Sequence, residues 1–491
     1  MTKEYKTGKV REKLLMTLLR ISMYLFVVLS VFGCASVGRD YVRPGSNLPA
    51  GWHTVLNNPV KAEADNPQIV SKWWTVYGDD KLNRLVGMTV DGNLDLKKAY
   101  AALAASRAKL GMTEADGKPN LSASASAKGT YYGDDSLSDR TLDSYSAGFD
   151  STWEIDLFGG VRRSVEAASA DAEASKEALH DVLVSLTAET AKNYIALRVA
   201  QNNMVYTEQD IAIKSELYNI ANWKYEAGTG SEADVKTALY ALEYAKTGLN
   251  DLRTEIAGYM NRLAVLTGQT PGSLDETLRT VHPVPLVPVT AAVGVPADML
   301  RRRPDVRQAE RELAAQTARV GVAEADRYPK LTLSGTIGLS STQFGSLFET
   351  DSASASIGPS LTWKLFDFGA IKNNIKVQDE TRKQYLAAYE SAVLTAMEES
   401  ENAMKSYSEE YAKTLQLAKA ADAAKDAYDL TKNSYGAGLS DYTDVMSAQQ
   451  AYISYTKQLS ASKGAAGTDL VALYKALGGG WESIETGEKD K

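Results

Sequence analysis

The residues of this chain that could do chemistry are few and widely separated. Its three histidines, His53, His180 and His282, each stand alone in 491 residues. A protein zinc site needs clustered histidine, cysteine or carboxylate ligands, so a metal centre is not expected. The single cysteine, Cys34, excludes a disulfide within the chain. There is also no phosphate-binding loop, CxxC pair or histidine-containing triad, so we predict no catalytic residue and no enzyme.

Cys34 closes a segment that is typical of exported proteins. Six basic residues lie before residue 21, and an almost wholly apolar run then extends from Ile21 to Phe32. A basic region, a short apolar core and small residues at the exit indicate a secretory signal peptide over 1–33. Val31-Phe32-Gly33-Cys34 resembles the bacterial lipoprotein signal, in which the cysteine is acylated and becomes the mature N-terminus. A covalent lipid on Cys34 is therefore expected, with an unmodified cysteine as the alternative reading.

Charge and hydropathy narrow the class of protein. The 54 Lys and Arg against 62 Asp and Glu give a net charge of -8. A nucleic-acid binder would need a basic surface, so nucleic acid is not an expected partner. Beyond the N-terminal segment no run of about 20 apolar residues occurs, so no helical membrane span is expected in the mature chain. Any membrane-crossing part would have to be a closed β-barrel.

The chain contains an internal repeat at a constant offset of 210 residues. Residues 111–121 match 321–331, Trp153 matches Trp363, and the same offset relates Gly268 to Gly478. A constant offset over so long a stretch indicates one structural unit used twice. The predicted parts are a signal peptide at 1–33, an N-terminal lipid-anchored segment at 34–92, repeat 1 at 93–268, a proline-rich linker at 269–302, repeat 2 at 303–478 and a C-terminal tail at 479–491.

Each repeat contains a pattern that predicts a β-hairpin. Apolar and polar residues alternate in two runs over about 120–156, and again over about 330–366. One apolar face with aromatic residues near the strand ends is typical of an outer-membrane barrel, with a soluble sandwich as the alternative. Four strands cannot close such a barrel, because the smallest have about eight. Three chains would supply twelve strands.

Each repeat also predicts a long helical hairpin. Residues 161–225 and 370–435 contain neither Pro nor Gly. A helix of about 65 residues would reach about 98 Å, which favours a coiled coil. Gly228 and Gly438 are expected to end these helices, and a second helix would then return from each turn. The fold class expected is mainly α, with a transmembrane β-barrel part and a two-fold internal repeat.

These features together resemble the outer-membrane factor family, the TolC-like exit ducts of tripartite efflux pumps and type I secretion. The resemblance covers Cys34 to Gly480, and lipidation favours the efflux-pump lipoprotein branch. Its motifs are Asp40-Tyr41-Val42-Arg43-Pro44, Trp73-Trp74 with Asp80 and Leu82, the stretch from Arg302 to Glu310, Tyr328-Pro329, and Leu365-Phe366-Asp367-Phe368-Gly369.

The resemblance implies a homotrimer in the outer membrane of a Gram-negative bacterium. Three protomers would form one 12-stranded barrel on a periplasmic tunnel of twelve helices, with 34–92 and 269–302 in an equatorial belt. The implied partners are a periplasmic adaptor (membrane fusion protein), an inner-membrane transporter of the RND type and outer-membrane lipid. No cofactor is expected besides the lipid on Cys34. The alternative is a lipid-anchored periplasmic coiled-coil scaffold or adaptor without a channel, which the amphipathic strands disfavour.

The resemblance also assigns roles to residues near the two glycine turns. Family members contact the adaptor through short motifs that correspond here to Ala227, Gly228 and Thr229, and to Ala437, Gly438 and Leu439. The periplasmic gate corresponds to Asp234, Tyr435, Asp441 and Asp444, and Ser440 stands where a family member has Arg. Three copies of each Asp would form acidic rings that favour cations. The alternatives are that the glycines only form turns and that the aspartates lie on a solvated helix face.

Overall fold

A computed structural model describes residues 36–45, 49–54, 60–63, 67–131, 141–296 and 301–482. The predicted signal peptide and Cys34 lie outside the described residues. Among the helices of the described part, none is both long enough and apolar enough to cross a membrane. The described residues divide into two compact units, and those within 36–44, 104–174 and 309–389 form unit 1. The described residues within 45–103, 175–308 and 390–482 form unit 2.

The elements follow the order of the internal repeat. Short elements come first: β1 (Lys61–Glu63), α1 (Pro67–Ser71), a 3-10 helix (Trp73–Tyr77) and α2 (Asp80–Gly92). The first repeat contains α3 (Leu94–Asp116), β2 (Asn120–Tyr131), β3 (Thr141–Ile155), α4 (Gly160–Glu226) and α5 (Glu232–Leu266). The described part of the linker includes α6 (Asp275–Leu278) and β4 (Thr290–Ala292). The second repeat contains α7 (Pro304–Ala325), β5 (Lys330–Ser341), β6 (Ala353–Thr362), α8 (Ala370–Gly436) and α9 (Tyr442–Ala476).

The sheet of unit 1 is antiparallel, with the strand order β2-β3-β5-β6. Phe149 lies opposite Ala123 on one side and Ile337 on the other, so these three residues share a face. Large apolar side chains of this face are exposed in the protomer, among them Leu121, Phe149, Ile337, Ile357 and Leu361. The alternation that the sequence predicted is therefore confirmed, and its apolar face is left uncovered.

Polar side chains occupy the opposite face of this sheet. Ser124 Oγ donates to the Asp150 carboxylate at 2.7 Å, and the hydroxyls of Thr336 and Ser356 are 2.8 Å apart. β6 ends at Thr362, so the predicted hairpin residues 363–366 follow the strand rather than belong to it. Trp363 instead donates its Nε1 hydrogen to Arg327 O at 3.0 Å. Trp153 makes the equivalent bond to Gly117 O, also at 3.0 Å, so the two copies share this contact.

The long helices α4 and α8 have 67 residues each, and the returning helices α5 and α9 have 35 each. The Pro-free and Gly-free runs permit this length because nothing interrupts the backbone hydrogen bonds. Upstream, Asn93 Oδ1 accepts hydrogen bonds from Asp95 N and Leu96 N, at 2.8 and 3.1 Å. Asn93 is therefore the N-cap of helix α3.

Residues of two motifs that carry the family resemblance, Trp73-Trp74 and the stretch from Arg302, pack in unit 2. Trp73 is fully buried and stacks on Tyr474 with a centroid distance of 6.0 Å. Tyr77 donates to Gly467 O at 2.7 Å. Arg303 donates to Asp305, to Glu399 and to Ala476 O, and thereby satisfies a carbonyl at the end of α9.

The linker also pairs with the N-terminal part of unit 2. Lys61–Glu63 forms a parallel pair with Thr290–Ala292. The sequence analysis did not identify these two strands, because three residues are too few for a periodic pattern.

Candidate functional site

The tips of the two helical hairpins have the same backbone geometry. Gly228 and Gly438 have φ values of +74° and +75°, a left-handed conformation that glycine adopts without strain. Gly228 N donates to Tyr225 O at 2.9 Å, and Gly438 N donates to Tyr435 O at 3.1 Å. No atom lies within 4 Å of a Cβ built on either glycine. Both turns therefore end a long helix in the expected manner and leave open space outside the glycine.

The residues beside these glycines are solvent-exposed in the protomer. Ala227 and Thr229 are exposed at the first tip, and Ala437 and Leu439 at the second. Leu439 is a large apolar side chain without cover. The two tips thus present short backbone turns flanked by small or apolar side chains.

Asp234 and Asp444 lie in the first turn of the returning helices α5 and α9. Asp234 accepts a hydrogen bond from Ser231 N at 3.4 Å, and Asp444 accepts one from Asp441 N at 3.2 Å. Each is the third residue of its helix, where a carboxylate can satisfy the N-cap amide. Asp234, Asp441 and Asp444 are all exposed in the protomer. Asp234 and Asp444 therefore have a capping contact, a role that the spacing Ser231-x-x-Asp234 could have indicated and that we did not predict.

Tyr435 lies between the two hairpins and is 8 % exposed. The Lys224 Nζ atom stands over its ring, 3.8 Å from the centroid. Tyr442 meets the same ring edge-on at 6.3 Å, and burial, with nearby Tyr435 and Asp234, raises the pKa of Tyr442 to about 12. In the described part of the protomer no hydrogen bond joins Tyr435 to Asp234. The hairpins meet at Tyr435 through a cation–π contact instead.

The contact between hairpins continues along the helices above the tip. Leu217 of α4 packs in one apolar cluster with Tyr428, Tyr435 and Val445 of the second hairpin. Gln449 Nε2 donates to Asp210 Oδ1 at 2.7 Å, and Lys432 Nζ to Glu216 Oε2 at 3.2 Å. The Glu216 carboxylate is the largest cause that raises the pKa of Lys432. Sequence reasoning did not find these pairs, because their partners are more than 200 residues apart.

The segment that follows Cys34 is held along unit 1. Val37 N donates to Phe158 O at 3.0 Å, and Arg163 donates to Val37 O and to the Asp40 carboxylate, at 3.0 and 2.7 Å. A Cβ on Gly159 would come 2.6 Å from Ser36 Oγ, so this segment contacts the turn between β3 and α4.

Further along the same segment, Tyr41 donates to Glu310 at 3.2 Å, and Arg43 pairs with Glu310 at 2.6 Å. The motif Asp40-Tyr41-Val42-Arg43-Pro44 thus serves to hold the N-terminal segment on helices α4 and α7. Within the described residues, no group of three or more His, Cys, Asp and Glu is placed to hold a metal ion.

Curated relatives match nearly the whole chain. Outer membrane protein OprJ of Pseudomonas aeruginosa is 27% identical over 473 residues, covering 93% of this chain and 95% of its own length. The toluene efflux pump outer membrane protein TtgI of Pseudomonas putida is 28% identical over 472 residues, covering 94% and 98%.

A solved structure of an outer-membrane channel has a similar fold. The outer-membrane channel OprN has a TM-score of 0.84 and 32% identity, covering 91% of this chain and 99% of its own. The fold is accordingly that of a TolC-like channel with a two-fold repeat.

The outer membrane efflux protein family matches residues 85–269 and 295–479. The second segment begins and ends 210 residues after the first (295 against 85, 479 against 269), which is the offset of the internal repeat. With both repeats matched, and with hairpin tips, sheet and N-terminal segment arranged as described, this chain belongs to the outer membrane efflux protein family and is an outer-membrane efflux channel.

Proposed function

We propose that this efflux channel is a passive trimeric exit duct, anchored by lipid on Cys34. Its hairpin tips dock a periplasmic adaptor, and an inner-membrane transporter of the RND type supplies the cargo. The observation that carries the proposal is the four-stranded sheet of unit 1, whose apolar face is uncovered and whose outer strands each pair on one side only.

The sheet supports a barrel that several chains share. β2 and β6 each have one neighbour in the described sheet, so each leaves a row of backbone groups unpaired. Unpaired backbone groups are costly in lipid, and closure of the sheet on itself removes them. Three protomers would supply twelve strands, within the range of known outer-membrane barrels. The division at 34–92, 93–268, 269–302, 303–478 and 479–491 is part of this proposal.

The position of Ser36 supports the lipid anchor. Ser36 lies two residues after Cys34 and contacts Gly159, four residues after β3 ends at Ile155. A lipid on Cys34 would therefore lie near the end of a strand whose apolar face suits lipid. Acyl chains on Cys34 could enter the membrane there without extending the chain, and two or more chains suffice for stable anchoring.

The tip geometry supports adaptor docking. Gly228 and Gly438 leave open space beside the turn, so a partner helix could pack closely against the backbone. Exposed Leu439 offers apolar contact at the second tip. Nearby, the exposed aspartates Asp234, Asp441 and Asp444 would give the entrance an acidic character, and with Tyr435 they are the residues we assign to the gate.

The native mass of the protein in mild detergent tests the duct. We expect an assembly of three protomers, each beginning at Cys34 and carrying the additional mass of acyl chains. Cys34→Ser is the matched variant, and it should lose the acyl mass while the assembly remains a trimer. A monomer that is stable without detergent would contradict the duct and favour the coiled-coil scaffold.

Photo-crosslinking in intact cells tests the docking site. A photoreactive amino acid at Leu439 or Thr229 should capture a periplasmic adaptor, which mass spectrometry identifies by its sequence class. The same amino acid at exposed Glu208, higher on α4, is the control. Equal capture from Glu208 and Leu439 would argue against docking at the tip.

A further inference from the structure

A groove in unit 1 lies between the N-terminal segment and the two helices that adjoin the second hairpin of the sheet. Its lining comes from residues between 39 and 44, from α7 and from α8, and its volume is about 920 Å³. Ligand sites in proteins have volumes of about 300–1,000 Å³, so the groove is large enough to hold part of an organic molecule. The proposed duct gives this groove no role.

One end of the groove is next to the sheet. Helix α7 ends five residues before β5 begins (325 and 330), and α8 begins eight residues after β6 ends (370 and 362). Lys330 of β5 pairs with Thr362 of β6, so both connections leave the same end of the sheet. Lys372 and Lys376 line the groove in the first two turns of α8, within about 10 Å of the helix start. In an outer-membrane channel these cations are therefore close to the lipid headgroups.

Two carboxylates of the groove already have basic partners. Asp40 pairs with Arg163 at 2.7 Å. Asp379 lies 3.0 Å from Arg382 and 3.6 Å from Lys383. These groups largely neutralise one another, so they do not decide the charge of a ligand.

Three cations of the groove have no such partner. Arg39, Lys372 and Lys376 are exposed, and within the described residues none of them forms an ion pair or a side-chain hydrogen bond. Lys372 and Lys376 are four residues apart, so they share one face of α8. In the described part of the groove, Glu324 is the carboxylate that remains without a basic partner. Three cations against one carboxylate favour an anionic ligand.

The equivalent positions of the first repeat do not carry these free cations. Lys372 corresponds to Arg162, which pairs with Asp156 at 3.2 Å. Lys376 corresponds to the acidic residue Glu166. The surplus of positive charge is therefore a property of the second repeat, and the fold that both repeats share does not require it.

Apolar side chains surround these charges. They come from all three walls of the groove and are Val42, Pro44, Leu313, Val320, Ile375 and Leu386. Opposite charges attract more strongly beside an apolar wall than in open water, because the local dielectric constant is lower. On β6, the strand that precedes α8, Ile357 and Leu361 are exposed on the apolar face of the sheet. A molecule with an anionic head and apolar chains would thus find a partner for each part.

We propose that this groove binds the headgroup of an anionic phospholipid from the periplasmic leaflet of the outer membrane. Arg39, Lys372 and Lys376 hold its phosphate, and its acyl chains lie along the apolar face of the sheet. Basic pockets beside membrane-spanning elements suit such headgroups. One step rests on the proposed function: the lipid on Cys34 brings the N-terminal segment, and with it the groove, to the side of the channel that lipid reaches.

Native mass spectrometry of the full-length protein tests the proposal. The protein is released from nanodiscs that contain equal amounts of phosphatidylglycerol and phosphatidylcholine with the same acyl chains, and the retained lipids are counted per chain. We expect phosphatidylglycerol to be retained in preference to phosphatidylcholine. Lys372→Gln with Lys376→Gln should weaken this retention about fivefold for each lysine, the effect of one basic residue beside an anionic surface.

Lys109→Gln with Lys118→Gln is the matched control. Both lysines are exposed residues of unit 1 that lie shortly before β2, and neither lines the groove. This variant should retain phosphatidylglycerol as the wild type does. Equal losses from the two double variants, or equal retention of the two lipids by the wild type, would overturn the proposal.

A competition experiment distinguishes a lipid from a soluble anion. Glycerophosphoglycerol has the same headgroup without acyl chains, and both it and inorganic phosphate should displace phosphatidylglycerol far less effectively than a short-chain phosphatidylglycerol does. If either soluble anion competes as well as the short-chain lipid, the groove binds a free anion and the assignment to lipid is wrong.

The same spectra report on the lipid anchor separately, because acyl chains on Cys34 stay attached when collisions remove the other lipids. A chain without acyl mass that still retains phosphatidylglycerol through Lys372 and Lys376 would reject the anchor and support the groove. An acylated chain that shows no preference for phosphatidylglycerol would reject the groove and leave the anchor intact.

Discussion

Single residues in the described structure show where a partly buried charge costs stability and where a backbone angle does. Asp181 lies on α4 in unit 2, near Asp305, Arg303 and Lys475. Burial raises its pKa, repulsion by Asp305 adds to the effect, and attraction to Lys475 and Arg303 only partly opposes it. A carboxyl whose pKa is higher in the folded state than in the unfolded state favours folding only at low pH.

Asp181→Asn should therefore stabilise the protein at pH 7. The wild-type carboxyl loses its contribution as pH increases from the unfolded value of 3.8 through the higher folded value, and the amide does not titrate. We expect a higher melting temperature for the variant at pH 7, with the advantage shrinking as the pH falls through that window. Thermal unfolding in detergent at several pH values measures this. An advantage that grows at acidic pH would contradict the assigned shift.

Gly438→Ala should weaken the second tip. A left-handed φ costs a residue with a Cβ about 1–2 kcal/mol, and Gly438 has a φ of +75°. Hydrogen exchange at the Leu439 amide, which bonds Ser434 O at 2.9 Å, should accelerate. Gly258→Ala is the control, because Gly258 lies inside α5 with open space around it. That substitution should stabilise its helix by about 0.5–1 kcal/mol, since alanine is the better helix former.

At the scale of elements, the two faces of the sheet should differ in their tolerance of charge. Ile337 lies on the uncovered apolar face, and Thr336, its neighbour in β5, lies on the polar face beside Ser356. Ile337→Lys should cost up to about 2–4 kcal/mol if this face meets lipid at the bilayer centre. Thr336→Lys should be tolerated.

The amount of folded, heat-resistant trimer in isolated outer membranes measures both variants. Equal yields would show that the apolar face does not meet lipid. A second comparison uses β3, a strand of the first copy. There Phe149→Lys changes the apolar face, and Asp150→Asn changes the polar face.

At the scale of the whole molecule, the exposed aspartates of the tips should give the entrance a preference for cations. Three copies of Asp441 and Asp444 would surround the axis of the trimer. Asp441→Asn with Asp444→Asn should reduce the ratio of cation to anion permeability, while retaining a polar side chain at the helix start. The reversal potential under a salt gradient measures the ratio. Asp422→Asn is the control, because Asp422 is an exposed residue of α8 that lies farther from the tip. An equal change in the permeability ratio there would show that the tip aspartates do not set the selectivity.

The sequence by itself determined the long elements of each repeat and their repetition. Alternation in 120–131 and 330–341 fixed the strands, since successive side chains of a strand point to opposite faces. The absence of Pro and Gly fixed the long helices, and Gly228 and Gly438 fixed their ends. The offset of 210 residues and the motifs identified the family. These features are local or repeated, so neighbouring residues suffice to show them.

Only the tertiary structure decided which side chains meet. Lys224 over Tyr435, Gln449 with Asp210, and Arg163 with Asp40 each join residues that are distant in sequence. The short pair β1–β4 was likewise invisible, because three residues show no periodicity. Such contacts depend on how helices rotate and slide against one another, and many partners of equal chemistry exist along each helix. The physical reason is that side-chain pairing between distant segments follows from packing, which no local pattern specifies.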